Sequence, residues 1–444
     1  MRKMFVSACL FAAMAFTACT TEVIYVDSDG NPVEHVDLKE GEGLLSVAVS
    51  STDVSTRDVR PVGSSAAANN VNVVKVYAFS ATTDAGSYTF DDAIGVKAGA
   101  NTNVSGGQGV ITITVNNSDD KGEVVNPDNG VNIEEEEIIT LTGIDKTKYY
   151  KFVAVGYNNV GDYTLSSISN GTTLGDFTAT ISEAAKSNCY QIAELFATES
   201  ATAKKGDAKD FGTLTLTRQV AGMLAYFKNV PAKIGGKEVY FVKVFANAKT
   251  ESFTFPAAAS DLNGTSQTNA KTEIMTFKVH ELKTSVDANG FYTFDTMDGT
   301  STPTTKPLAD GYEAIAPENL ALEQNSIFGA RFLIPYETHL DGSSSSTIPT
   351  TLIIELQGSD GAVLRTLKVK TNQSSLPSGA SAEYYDIRCN NFYSIGQKYK
   401  TDTTDPDPDG GTDPDEPIDL SGNSEVLVQI NDAWSVLHDM TVEE

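Results

Sequence analysis

Asp405, Asp407, Asp409, Gly410 and, at the twelfth place, Glu416 stand at the spacing of a calcium-binding loop. The chemistry would be oxygen ligation of a hard cation, and the surrounding residues oppose it. Pro406, Pro408 and Pro414 constrain the backbone, Thr412 stands where an apolar residue usually docks, and neither flank has helical periodicity. An Asp/Pro spacer in solvent accounts for the same residues, so no metal is expected. The four histidines, His35, His280, His339 and His438, lie far apart and form no H-x-x-x-H or Cys/His cluster. Glu134 to Glu137 are a charge run ahead of a strand and read as a solvated loop edge. SGGQG, from Ser105, opens no helix, carries no P-loop lysine and reads as a hairpin loop. With neither G-x-S-x-G nor H-E-x-x-H present, the expectation is a chain that is not an enzyme and uses no cofactor.

Chemistry done to the chain has better support than chemistry done by it. The N-terminus, MRKMFVSACLFAAMAFTAC, starts basic at Arg2 and Lys3 and continues with an apolar run from Met4 to Phe16 that is too short to span a bilayer. That is the pattern of an export signal. It stops at Phe16-Thr17-Ala18-Cys19, which resembles a bacterial lipobox, so Cys19 is the expected lipidation site. Cys9 would leave with the signal. Cys189 and Cys389 then remain, far apart and without a CxxC spacing, and are read as two thiols rather than a disulfide. Further on, TDVSTRDVRPVG sets Arg57 and Arg60 in a Ser/Thr/Asp-rich stretch of the kind proteases reach. Pro61 disfavours a cut after Arg60. Processing is therefore expected between Arg57 and Asp58, with Arg60 the second choice.

The elements that carry these sites are mainly β. The 444 residues favour two or three domains, and a composition 40% hydrophobic with 20 Phe and 17 Tyr can fill real cores. The net charge of −27 repels phosphate backbones, so no nucleic-acid partner is expected. Short β-branched and aromatic runs begin at Val71, Gly109, Glu137, Tyr149, Phe211, Glu238, Glu273, Phe291, Ile327, Thr350 and Val363, and eleven such runs suggest two sandwiches. ISEAAKSNCYQIAELF, from Ile181, is the one segment with helical spacing. The polar stretch 198–210 is the expected domain junction. GLLSVAVSS, from Gly43, puts Leu45, Val47 and Val49 on one face of a half-buried strand. Behind the Asp/Pro-rich stretch, Val426, Val428 and Ile430 alternate in the same way, followed by Trp434 and Val436.

This layout resembles the major fimbrial subunits, or fimbrillins, of Bacteroidales type V pili. The match in motif is YYDIRCNNFYSIGQ from Tyr384, then the Asp/Pro tether, then VLVQINDAWSVLHDMTVE. These follow the family's closing R-N-N-x-Y strand and its terminal V-x-V segment ending in Trp, with Cys389 as the departure. The resemblance implies two tandem transthyretin-like β-sandwich domains and a C-terminal donor strand. The divisions are 1–19 lipoprotein signal peptide, 20–57 propeptide with an N-terminal strand, 58–208 N-terminal sandwich, 209–400 C-terminal sandwich, 401–423 tether and 424–444 donor segment. It further implies a structural pilus subunit supporting adhesion and colonisation. The precursor is held in the outer membrane through lipid (palmitate), and an arginine-specific protease then removes the segment containing Leu45, Val47 and Val49. The emptied groove takes the donor strand of an identical or homologous subunit at the cell surface.

Five apolar anchors, Val426, Val428, Ile430, Trp434 and Val436, would contribute on the order of 10 kcal/mol before entropy costs. A 23-residue tether reaches about 75 Å extended and about 30 Å as a coil, so its length permits exchange or folding back. Alternatives are a pilus anchor, which would keep its lipidated front, a tip lipoprotein, which need not accept and donate at both ends, and a monomeric glycan-binding surface lipoprotein, which would show clustered aromatics.

Overall fold

Residues 24–26, 32–35, 38–49, 73–97, 104–114, 137–157, 161–182, 194–246, 249–250, 252–254, 267–268, 271–298, 303–314, 316, 320–336, 351–371, 382–383, 385–389, 391–398, 416–422 and 425–431 are described by the computed structural model. The fold is mainly β, and each of the eleven runs read as β carries a strand. Alternation decides their orientation. In Asp210–Arg218, for example, Phe211, Leu214 and Leu216 turn into a core while their neighbours face outward.

The first sheet has eleven strands, nine of them on one path: Gly95–Val96, Glu137–Thr142, Gly43–Val49, Asp210–Arg218, Leu195–Glu199, Tyr149–Tyr157, Val73–Ala81, Val110–Thr114 and Val104–Gly107. The path folds over on itself, and its inner faces enclose a core that includes Leu45, Val47, Val76, Ile111, Phe152 and Phe211. Val104–Gly107 and Val110–Thr114 form a hairpin turned by Gln108 and Gly109, both at positive φ. SGGQG is thus a strand end and hairpin turn.

The second sheet has nine strands, eight of them on the path Thr272–Phe277, Phe241–Ala246, Leu352–Gln357, Val363–Thr371, Glu425–Asn431, Phe392–Ile395, Ala221–Lys228 and Ser326–Leu333. A three-stranded sheet of Tyr163–Leu165, Thr178–Ile181 and Ser252–Thr254 joins the two halves of the chain. A second hydrophobic core runs through both halves, with Tyr77 and Phe177 in ring contact at 4.4 Å.

Two expectations need correction. The run from Phe211 is two strands, because the chain leaves the first sheet at Gln219 and Val220. The Gln219 amide donates to Leu195 O (2.7 Å), whereas the Gly222 amide already donates to Asn391 O (2.9 Å) in the second sheet. This handover falls just past the 198–210 stretch, within the roughly ten residues allowed around the expected junction, and Lys204–Lys205 in that stretch pairs with Tyr149 and Tyr150 of the first sheet. Of the run from Ile181, Ile181, Leu195 and Phe196 lie in the strands Thr178–Ile181 and Leu195–Glu199, and the expected helix over 183–193 lies outside the described residues. Finally, the 401–423 spacer is not open throughout. Ile418–Asp419 pairs in parallel with Phe227 and Lys228, and Leu420 is buried, because the short apolar pair in an acidic stretch finds the second core.

Candidate functional site

Two strands stand out by position, and both are internal. Gly43–Val49, the front strand, lies antiparallel to Glu137–Thr142, with Leu45 opposite Ile139 and Ser46 opposite Ile138. On its other side it runs parallel to Asp210–Arg218, with Val47 beside Leu214 and Val49 beside Leu216. Leu44, Leu45 and Val47 are buried, and Leu45 and Val47 reach the sandwich core. At a typical 1.5–3 kcal/mol for each buried aliphatic side chain, these contacts offset much of the cost of ordering the strand, and its backbone pairing on both sides does the rest. The side chain of Val49 is outside the described residues.

Gly43 is required by space. A Cβ there would stand 2.4 Å from the Phe211 ring. That ring is buried and set edge-on against Tyr150 (6.0 Å) and Phe152 (5.5 Å). Tyr150 is itself fixed by its hydroxyl, which accepts from the Asp145 amide at 2.8 Å.

The residues leading into the front strand are held by lysines of the first sheet and its loops. Lys97 Nζ meets Glu42 Oε2 at 3.3 Å, Lys146 Nζ meets Glu40 Oε1 at 3.1 Å, and Lys209 Nζ donates to Lys39 O at 2.8 Å. The Lys39 amide also donates to Glu42 (2.9 Å). That hydrogen bond is the main cause holding the Glu42 carboxyl below its ordinary range. Burial opposes it, and Lys97 adds to it.

The tail strand, Glu425–Asn431, occupies an equivalent place in the second sheet. It runs parallel to Val363–Thr371, with Lys368 beside Glu425 and Val369 beside Val426, and antiparallel to Phe392–Ile395, with Tyr393 opposite Ile430. The RCNNFY stretch builds that antiparallel neighbour. The Tyr393 hydroxyl donates to Asp386 O and accepts from the Arg388 amide, both at 2.8 Å, which folds the chain back just before Phe392. Cys389, the departure from the motif, is half-buried in that bend.

Ahead of the tail strand the chain is clamped. Glu416 and Gln397 exchange backbone hydrogen bonds of 3.0 Å, Asn229 Nδ2 donates to Asp419 (2.9 Å), and Arg365 Nη1 donates to Leu420 O (2.9 Å) and Ser421 O (3.3 Å). No sequence signal for this clamp was read, although Ile418 and Leu420 are the apolar pair in an otherwise polar run.

The structure thus places Leu45 and Val47 in the first core and gives Val426, Val428 and Ile430 a backbone register in the second sheet. Their side chains, and all of Cys19, Arg57, Asp58, Arg60, Trp434 and Val436, lie outside the described residues, as does the Asp405–Gly410 part of the calcium-like spacing. Among the described residues, no group of three or more His, Cys, Asp and Glu could hold a metal ion, and no helix is long and apolar enough to cross a membrane.

No family model matches the chain, and no curated protein matches it. Solved structures to which this chain is similar include a candidate adhesin from Bacteroides thetaiotaomicron, 10% identical, covering 89% of this chain and 97% of that one at a TM-score of 0.40. Another is a candidate cell adhesion protein from Bacteroides eggerthii, 11% identical, covering 89% and 96% at 0.35. A fimbrial assembly protein from Parabacteroides distasonis is 12% identical and covers 72% and 98% at 0.24. At these scores the likenesses carry no argument about activity or partners.

Proposed function

We propose that the protein is a non-enzymatic structural subunit of a cell-surface fibre that polymerises by strand exchange after its N-terminal segment is removed. The observation that carries the reading is the position of Gly43–Val49. It is an internal strand with a parallel and an antiparallel neighbour, and excising it leaves two unpaired backbone rows flanking an apolar groove. Arg57 and Arg60 follow it closely in sequence, where a cut releases the strand. The tail strand has the same apolar alternation and is accustomed to the same mixed pairing.

In the single chain both sheets are complete, with the front strand in the first and the tail strand in the second. On this reading that is the closed precursor, held at the outer membrane through lipid on Cys19, and an arginine-specific protease opens it. The partner is another subunit of the same kind.

N-terminal sequencing of the surface-assembled form tests the processing, which on this reading gives a start at Asp58. A blocked, acylated Cys19 in the assembled form instead identifies an anchor subunit. Trp434, the only tryptophan, reports the joint, since its emission shifts to the blue when the indole leaves water on assembly. Polymerisation that survives deletion of 424–444 would end the reading.

A further inference from the structure

The groove specifies the register in which an incoming tail docks. Resting on the strand-exchange reading above, we propose that a second copy's tail enters with Glu425 where Glu42 now meets Lys97, which sets Leu427, Val428 and Ile430 in the places of Leu44, Leu45 and Val47.

The argument is a comparison of position with occupant. Around the front strand the chain reads Glu42-Gly43-Leu44-Leu45-Ser46-Val47, and the tail reads Glu425-Val426-Leu427-Val428-Gln429-Ile430. Leu44, Leu45 and Val47 are buried, so their places need apolar residues, and in this register each receives one. The alternative register two residues away, with Val426 in Leu45's place, puts Glu425 into the fully buried position of Leu44, where a charge is costly.

Charge points to the same choice. Removal of the front segment takes Glu40 and Glu42 away from Lys146 and Lys97, and the Lys39 carbonyl away from Lys209, leaving three lysines at the groove mouth. The chain from 401 to 425 contains no Lys or Arg and is rich in Asp and Glu, so the segment arriving at that mouth is acidic. Complementary charge of this kind speeds encounter and fixes register more than it adds affinity. In its own sheet, too, Glu425 stands beside a lysine, Lys368.

Two positions fit poorly, and at one of them Gln429 takes the buried place of Ser46. Val426 falls where Gly43 leaves room for Phe211, so its Cβ must push a ring wedged by Tyr150 and Phe152. That misfit makes the register testable. Ser46 faces Ile138 across the groove, so in the proposed register Gln429 of the incoming tail faces Ile138 of its neighbour.

The experiment uses the full processed chain with Cys189 and Cys389 replaced by serine. Ile138→Cys combined with Gln429→Cys is expected to form a disulfide between chains on assembly. Ile138→Cys with Leu427→Cys is expected to form none. The reverse pattern overturns the register while leaving strand exchange standing. If neither disulfide forms, the proposal is overturned, and deletion of 424–444 decides what falls with it. Lost assembly keeps exchange through another slot, and retained assembly removes the exchange reading too.

Val426→Gly gives an independent measure without new thiols. It is expected to speed assembly several-fold by relieving Phe211, whereas slower assembly means that Val426 fills an apolar pocket and the register is wrong. Glu425→Lys is expected to slow assembly at low salt, and adding Lys97→Glu to restore it. No effect of Glu425→Lys overturns the role of the lysine mouth.

Discussion

The front and tail strands hold equivalent positions, and the residues leading into each are held in different ways, by lysines ahead of the front strand and by a backbone clamp with a buried Leu420 ahead of the tail. Each lies between a parallel and an antiparallel neighbour, and removing either divides its sheet path in two. The front strand is fixed from within, by Leu45 and Val47 in a closed core and by Gly43 seated against Phe211. The tail strand is led in by a clamp at Glu416, Asp419, Leu420 and Ser421, while the side chains of 425–431 lie outside the described residues. A strand held by its own side chains leaves an apolar groove when it goes. A strand held by its lead-in can leave while its root stays attached to its subunit. On the strand-exchange reading proposed above, the first strand vacates the acceptor groove and the second is the donor.

Perturbing each hold in turn separates them. The largest effect is expected from Leu45→Asp, which buries a charge with no partner in the first core. It should cost about 4 kcal/mol or more and abolish the cooperative melt of the precursor followed by circular dichroism. Leu420→Ala removes the buried side chain of the clamp at about 2–5 kcal/mol. Amide exchange should then quicken along 425–431 while the 43–49 amides keep their protection. If both strands respond equally, the holds are not separate.

Gly43→Ala tests the notch. Its Cβ overlaps the Phe211 ring, and about 1–3 kcal/mol of destabilisation is expected in thermal melting. Pairing it with Phe211→Leu should recover part of the loss, since the overlap is with that ring.

The smallest effect is electrostatic. The Glu42 carboxyl is held below its ordinary range, so its contribution is present above that range and is lost as the pH falls through the lowered value. The protection factors of the Leu44 and Leu45 amides, which compare each exchange rate with its intrinsic value at the same pH, should therefore fall once the pH drops below the ordinary carboxylate range, and Glu42→Gln should remove that dependence. Surface pairs such as Lys146 with Glu40 add little to it.

Much of this was legible in the residues. Period-two alternation marks Gly43–Val49 and Glu425–Asn431 as strands because one face of each must be apolar, and every other run read that way is a strand too. The split at Gln219 was not legible, since TLTRQVAGM continues the β pattern without a Gly or Pro break before the handover. What ends the strand is a set of hydrogen bonds from Gln219 to Leu195, Ala197 and Thr217, residues of two first-sheet strands. The clamp was missed for a related reason. Ile418 and Leu420 are two apolar residues in a polar run, and composition averages them away.

By itself the sequence determined the local alphabet of the protein: which runs are strands, which face of each is apolar, and where charge and proline interrupt them. Those properties follow from side-chain chemistry at fixed spacing along the chain. Tertiary structure alone decided that the front strand is internal rather than at an edge, that its neighbours run in opposite directions, and that Phe211 meets Gly43 across 168 positions of sequence. Pairing partners and close approaches depend on how distant segments pack together, and no local pattern encodes them.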